Sequence, residues 1–316
     1  MMKSFSRICL AGEDLDWTGG NSLLCNIDLW TTVSIEKNNE NNICIESNIM
    51  GKKCVKRDYV KSKFRYSLDE FDYIIGAINI FEKHYHKIGY IKILVNSLIP
   101  PKSGLSSSAA LLTSFFAEIF TFYNIECDKN VICELCYETE YNELKSQVGK
   151  MDFVSCMSNG LLLYSSSKNK AEILSNPFNE MELLLINCGQ MSSTKEINRN
   201  KYDRYIKQEK SFMQYLENGN NLVNEIYRKI ILGNDAMEIA KLINKYQFIM
   251  RVYLKVCTEK INEIVEKSMD MGSICSKLTG CGGGGFVFSI FEKDTSHEYQ
   301  NYLEKEGISY MRSKMF

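Results

Sequence analysis

The stretch PPKSGLSSSAA, residues 100–110, decides how this chain is read. Gly104 can adopt backbone conformations that let a chain wrap closely around an anion. Ser106, Ser107 and Ser108 add three hydroxyls just before a helical run in which Leu112, Phe116, Ile119 and Tyr123 mark one face. A helix start presents unpaired N–H groups and the positive end of the helix dipole. The stretch therefore reads as a phosphate cradle or as a serine-rich helix cap with no ligand. It fits neither GxxxxGK[ST] nor GxGxxG, so the P-loop and dinucleotide fingerprints do not account for it.

Two further stretches share this texture. KLTGCGGGG, residues 277–285, ends with five glycines in six positions and runs straight into GFVFSIF, which reads as a buried strand. Each glycine costs up to roughly 1 kcal/mol relative to alanine in a regular element, so the run predicts a loop in close contact with a ligand or another loop. RICLAGEDLDWTGG, residues 7–20, sets Glu13, Asp14 and Asp16 within four positions after an apolar strand. Such acids repel one another, so folding alone gives no reason for them. A polyhydroxy ligand, a cation or a catalytic arginine does.

The bulk numbers narrow the class. With 316 residues and 36.4 kDa the chain suits two medium domains. Apolar residues are 45% and charged residues 24%, ordinary for a globular protein. A net charge of -1 gives no global reason to expect nucleic acid or an anionic membrane. The twelve cysteines are scattered and expected to be reduced. Cys133 and Cys136 form a CxxC without a second CxxC or a nearby His, so no zinc site follows. The start MMKSFSRICLAG is too polar for a secretory signal, and no apolar run approaches the roughly 18 residues of a membrane span. A cytoplasmic enzyme is expected, monomeric or homodimeric.

Periodicity gives a coarse order. Residues 5–60 read as strands, followed by an amphipathic helix over 68–86 opened by a Ser67/Glu70 capping box. YIKILVNSLIPP reads as a strand ended by its two prolines. A helix over 129–144 leads to VGKMDFVSCMSNGLLLY, a short helix giving way to a strand. The polar SSSKNKAE marks a domain boundary near residue 165. Beyond it come the strand MELLLINCG, a helix opened by Ser193/Glu196, and long helices to about 268. The fold class is α+β.

The three motifs together resemble the GHMP kinases, the superfamily of galactokinase, homoserine kinase, mevalonate kinase and phosphomevalonate kinase. The likeness spans nearly the whole chain. The opening motif is most similar to galactokinase, which reads arginine, four residues, then Gly-Glu-His-x-Asp-Tyr-x-Gly-Gly. Arg7, Gly12, Glu13, Asp16, Gly19 and Gly20 fall on that pattern, with Trp17 at the aromatic position. The resemblance implies a two-domain fold, residues 1–165 of the ribosomal-protein-S5-domain-2-like type and 166–316 ferredoxin-like. It further implies ATP bound by Lys102, Ser103, Gly104, Leu105, Ser106, Ser107, Ser108 and Ala109, with Gly282 and Gly283 from the third motif. Mg²⁺ falls to Ser108 and Glu140; considered alone, Glu140 reads as a solvated helix face.

VGKMDFVSCMSNG resembles the galactokinase segment Cys-Gly-Ile-Met-Asp-Gln-Phe-Ile-Ser, placing Asp152 on the catalytic aspartate and Gly149 beside the substrate. An aspartate amid apolar neighbours is costly to bury unpaired, which independently calls for a partner, and Arg7 is the natural one. Tyr202 falls near a sugar-contacting tyrosine, with Tyr205 or plain aromatic packing as alternatives, and Thr194 near the substrate pocket. Glu13, Asp14 and Asp16 would then bind sugar hydroxyls.

Asp14 departs from the pattern, since galactokinases carry histidine there. A carboxylate would accept from hydroxyls or pair with an amino group, and would disfavour a uronate. The third motif is closer to mevalonate kinase. The implied function is an ATP- and Mg²⁺-dependent sugar kinase acting on a monosaccharide hydroxyl, the anomeric one expected. The alternatives are a kinase for a mevalonate- or homoserine-like alcohol and a non-catalytic sugar sensor. Repulsion between the acid cluster and an anionic alcohol weighs against the first.

Overall fold

The computed structural model describes residues 2–56, 64, 66, 69–189 and 194–316. Ser67 and Ser193, proposed helix caps, lie outside the described residues. The chain forms two compact units. The first comprises Met1–Ser6, Leu29–Pro101 and Ser106–Met157, the second Arg7–Asp28, Lys102–Leu105 and Ser158–Phe316. The strands β1 (Lys3–Ala11) and β2 (Asn21–Lys37) each contribute residues to both.

In the first unit β3 (Ile43–Ser47) pairs antiparallel with β4 (Gly51–Val55) and parallel with β5 (Ile91–Ser97). β5 in turn runs antiparallel to the later half of β2, from Thr31↔Ser97 to Lys37↔Ile91. The period-2 pattern of β5 buries Ile91, Ile93 and Val95 on one face and turns Lys92, Leu94 and Asn96 to the other. Four helices follow: α1 (Asp72–His84), α2 (Ser107–Phe122), α3 (Lys129–Tyr137) and α4 (Met151–Cys156). Ile74, Ile75, Ile78 and Phe81 of α1 keep helical spacing and are fully buried. At the head of β2's later half, the Ser114 hydroxyl of α2 donates to the Thr31 carbonyl at 2.8 Å.

Two expectations fail here. The helix expected over 129–144 ends at Tyr137, and Glu138–Glu143 continue as a π-helical turn. Side-chain periodicity does not register one wide turn, and such turns gather at functional sites. The cysteines are also not all reduced: Cys44 and Cys54 face each other in the β3–β4 register and form a disulfide. Directly opposed positions on antiparallel strands bring side chains together, and the two Cα atoms are 4.1 Å apart.

In the second unit the early half of β2 pairs with β6 (Leu161–Ser165), and β6 with β7 (Lys170–Leu174). β7 begins within the stretch SSSKNKAE that marks the polar boundary; four of its five residues are exposed, which hides it from hydrophobic pattern reading. A separate sheet has the order β11 (Tyr310–Ser313), β8 (Glu182–Asn187), β10 (Phe286–Phe291), β9 (Cys275–Leu278), antiparallel throughout. Its helices are α5 (Thr194–Ile206), α6 (Lys210–Ile231), α7 (Ala236–Ile249), α8 (Glu259–Asp270) and α9 (His297–Lys305). On α6 the buried positions Phe212, Tyr215, Leu216, Gly219, Val223, Ile226 and Ile230 form one apolar stripe. No helix among the described residues is long and apolar enough to cross a membrane.

Candidate active site

The opening turn belongs to the second unit and is built on Gly12. Its φ of 110° and the closeness of Ser22, whose Cα a side chain at Gly12 would meet at 2.5 Å, leave room only for glycine. The Ser22 hydroxyl donates to the Gly12 carbonyl at 2.7 Å. Asp14 follows at φ 66°, a left-handed conformation that aspartate tolerates better than most residues. Glu13, Asp14 and Asp16 are all buried, and Glu13 and Asp14 each meet a lysine. Lys277 of β9, fully buried, donates to Glu13 Oε1, to the Cys9 carbonyl at 3.0 Å and to the Leu278 carbonyl at 2.7 Å. Lys201 of α5, 1% exposed, donates to Asp14 Oδ2 at 2.6 Å. The premise that folding alone has no use for these acids is therefore wrong for Glu13 and Asp14. Two buried cations balance them.

Neither lysine was read as a functional residue from the sequence. Lys277 did carry a signal: a charge inside the strand CSKL, whose four residues are all buried, demands a partner. Lys201 sits in the polar run NRNKYDR and carried none. The backbone of Glu13 is held too, its carbonyl accepting from the Tyr215 hydroxyl at 2.6 Å. Glu13 Oε2 is buried and has no hydrogen-bond partner among the described residues. The Asp16 carbonyl accepts from the Ser166 hydroxyl. Trp17 lies 6.2 Å from the Tyr202 ring, 5.3 Å from Tyr205 and 6.0 Å from Phe212, so both candidate tyrosines flank the same indole.

The two glycine-rich stretches meet inside this same unit. A side chain at Gly104 would strike the Thr279 carbonyl, and one at Gly280 would come to 2.5 Å from the Gly104 Cα. The Ser103 carbonyl accepts from Phe286 N at 3.1 Å, and the Thr279 hydroxyl accepts from Cys9 N at 3.0 Å. Gly282 (φ 96°) packs against Val256, and Gly283 N donates to the Val256 carbonyl at 2.8 Å. Arg7, 2% exposed, donates from Nη1 to the Gly104 carbonyl at 2.7 Å. The glycines of the third motif thus serve contact with another loop. Lys102, Gly104 and Ser106 all have positive φ, and the Ser106 side chain makes no capping bond to α2. A serine-capped helix start is excluded for Ser106. Ser103, Leu105 and Ala109 are buried, whereas Ser107 and Ser108 are partly exposed.

In the first unit Ser108, Glu140, Asp152 and Tyr73 come together. Burial first, opposed by a hydrogen bond from Ser108 and reinforced by the charge of Asp152, pushes the Glu140 carboxyl up to about 7. The charge of Glu140, then burial, raises Tyr73, whose hydroxyl also bonds Ser108. Glu140 is 5% exposed inside the π-helical turn, not on a solvated helix face. Asp152 lies in the first turn of α4 and is only partly buried, which removes the burial argument for its partner. Gly149 precedes α4 in an irregular segment and is partly exposed. Asp152 belongs to the first unit and Arg7 to the second. Among the described residues no three His, Cys, Asp or Glu side chains converge as a metal cage. A serine hydroxyl and a carboxylate suit a hard cation that completes its shell with phosphate and water oxygens. A cavity of about 550 Å³ also lies in this unit, lined by Thr32, Glu46, Asn48, Lys52, Leu94 and Asn96 among others.

Two family models match the chain: the GHMP kinases N terminal domain over residues 72–160 and the GHMP kinases C terminal domain over 224–309. The chain belongs to the GHMP kinases. Its curated relatives in this family include mevalonate kinases and galactokinases. The mevalonate kinase of Pyrococcus abyssi is 26% identical over 295 residues, covering 90% of this chain and 86% of its own length. The galactokinase of Pyrococcus furiosus is 23% identical over 341 residues, covering 98% and 93%. Among solved GHMP kinase structures, Lactococcus lactis galactokinase complexed with galactose superposes with a TM-score of 0.87 at 17% identity over 99% of this chain and 92% of that one. The Methanococcus jannaschii mevalonate kinase gives 0.81 at 21% identity over 100% and 98%. These likenesses show the two-domain GHMP kinase fold expected from the motifs.

Proposed function

We propose that this GHMP kinase transfers the γ-phosphoryl group of ATP to a hydroxyl of a monosaccharide, the anomeric one expected. The observation that carries phosphoryl transfer is the start of α2: a loop with three positive-φ residues, locked by the glycine-rich stretch, ahead of a helix that Ser106 does not cap. Residues 102–109 with Gly282 and Gly283 would hold the phosphates. Ser108 and Glu140 would hold Mg²⁺, which when bound neutralises phosphate charge. Asp152 would accept or orient the hydroxyl proton, and Arg7 would stabilise charge on the transferring group. Domain roles would divide near residue 165.

The sugar reading rests on the opening turn, where Arg7, Gly12, Glu13, Asp16, Gly19 and Gly20 keep the galactokinase pattern. Glu13, Asp14, Asp16, Gly149 and Tyr202 would line its pocket. A second reading, an anionic alcohol such as mevalonate, is favoured by one observation: Lys277 and Lys201 balance two of the three acids, so repulsion no longer weighs against it. ADP release measured with ATP and Mg²⁺ across free sugars, amino sugars, mevalonate and homoserine tests both. Turnover is expected with a sugar; turnover of mevalonate and of no sugar would transfer the assignment to the second reading.

A further inference from the structure

The ion pair between Lys201 and Asp14 is more than the fold needs. Both groups are withdrawn from water, Lys201 at 1% and Asp14 at 8% exposure, and their Nζ and Oδ2 atoms are 2.6 Å apart. Buried pairs of this kind are commonly replaceable by apolar residues without loss of stability, so stability alone does not account for one. Asp14 is also held in a left-handed backbone conformation, and its Oδ1 accepts from Trp17 Nε1 at 3.1 Å. A carboxylate offers about four acceptor positions, and these two bonds leave some of them unused.

We propose that Lys201 is a positioning residue for the acceptor alcohol. It fixes the Asp14 carboxylate in the strained turn so that its remaining acceptor positions meet substrate hydroxyls, and it cancels the charge that carboxylate would otherwise show the substrate. This rests on the opening turn being the acceptor-binding turn. It reverses the expectation drawn from Asp14 alone. A neutral polyol end is accepted, an ammonium group gains nothing at this position, and an anionic group is not repelled by it.

The test uses the intact protein, Lys201→Met and the double variant Asp14→Asn/Lys201→Met, assayed on the alcohol the wild type phosphorylates best. In Lys201→Met the KM for the alcohol rises at least about tenfold while the KM for ATP stays within about twofold. If that alcohol is a sugar, preference for its amino analogue over the parent rises by a similar factor. The double variant, with no buried charge left unpaired, regains the wild-type melting temperature and amino-analogue preference but not the alcohol KM. An unchanged alcohol KM in Lys201→Met, or equal rises for alcohol and ATP, overturns the proposal. Should Lys201→Met fail to fold, a wild-type alcohol KM in the double variant overturns it equally. A wild type that phosphorylates mevalonate and no sugar refutes the sugar reading alone, because the same KM split is then read on mevalonate.

Discussion

In the opening turn Glu13 and Asp14 each end on a buried lysine, whereas at the head of α2 Glu140 has a serine hydroxyl and a second carboxylate, Asp152, for company. Both regions gather acids within a short reach. In the first, protein cations already balance the charge, and the carboxylates act as rigid parts of the turn. In the second, burial and a like charge leave Glu140 only about half ionised at pH 7, and what would relieve it is a cation from outside the chain. A cluster of acids is thus two different objects, and only the charges around it say which.

The largest effect expected is at Asp152. Asp152→Asn should lower the rate of phosphoryl transfer by about a thousandfold, within the usual range for losing a general base, and leave ATP affinity nearly unchanged. Single-turnover kinetics alongside a nucleotide titration measure this; wild-type turnover would remove Asp152 from the chemistry. Next comes Lys277→Met, which leaves Glu13 buried without its cation. Denaturant unfolding should show a loss of about 3 to 5 kcal/mol, mostly recovered in Glu13→Gln/Lys277→Met. An equal loss in both variants would mean that packing, not charge, fixes the turn.

The smallest effect separates the two clusters by pH. Without nucleotide or Mg²⁺, folded Glu140 keeps its proton to about pH 7, whereas an unfolded glutamate releases it near 4.5. This contribution to stability is complete below pH 4.5 and is lost as pH rises toward 7, because the folded state alone still binds the proton there. Glu140→Gln should flatten that descent in melting temperature. Saturating Mg²⁺ and a non-hydrolysable ATP analogue should do the same for the wild type. A descent that persists in Glu140→Gln would assign it to another group.

Much of this architecture was legible from short-range pattern. The stripes of α1 and α6, the alternation of β5 and the glycines of the three motifs each record a local demand on the backbone. What escaped was set by pairing and packing rather than by hydrophobic pattern. The Cys44–Cys54 disulfide depends on strand register, the π-helical turn around Glu140 on how α3 ends, and β7 on edge pairing with little burial. The largest omission was electrostatic. Glu13 and Asp14 looked like a cluster in need of a ligand because their lysines lie 264 and 187 residues away in sequence.

That separation also fixes an order of events during synthesis. Synthesis delivers Glu13 and Asp14 before Gly104, and Gly104 before Lys277 and the glycines that seat Gly104. A nascent chain therefore carries the acids and the loop at Gly104 with nothing to close them until residues 277–285 follow. A fragment stopped at residue 165 would hold every acid of the opening turn and neither of its lysines.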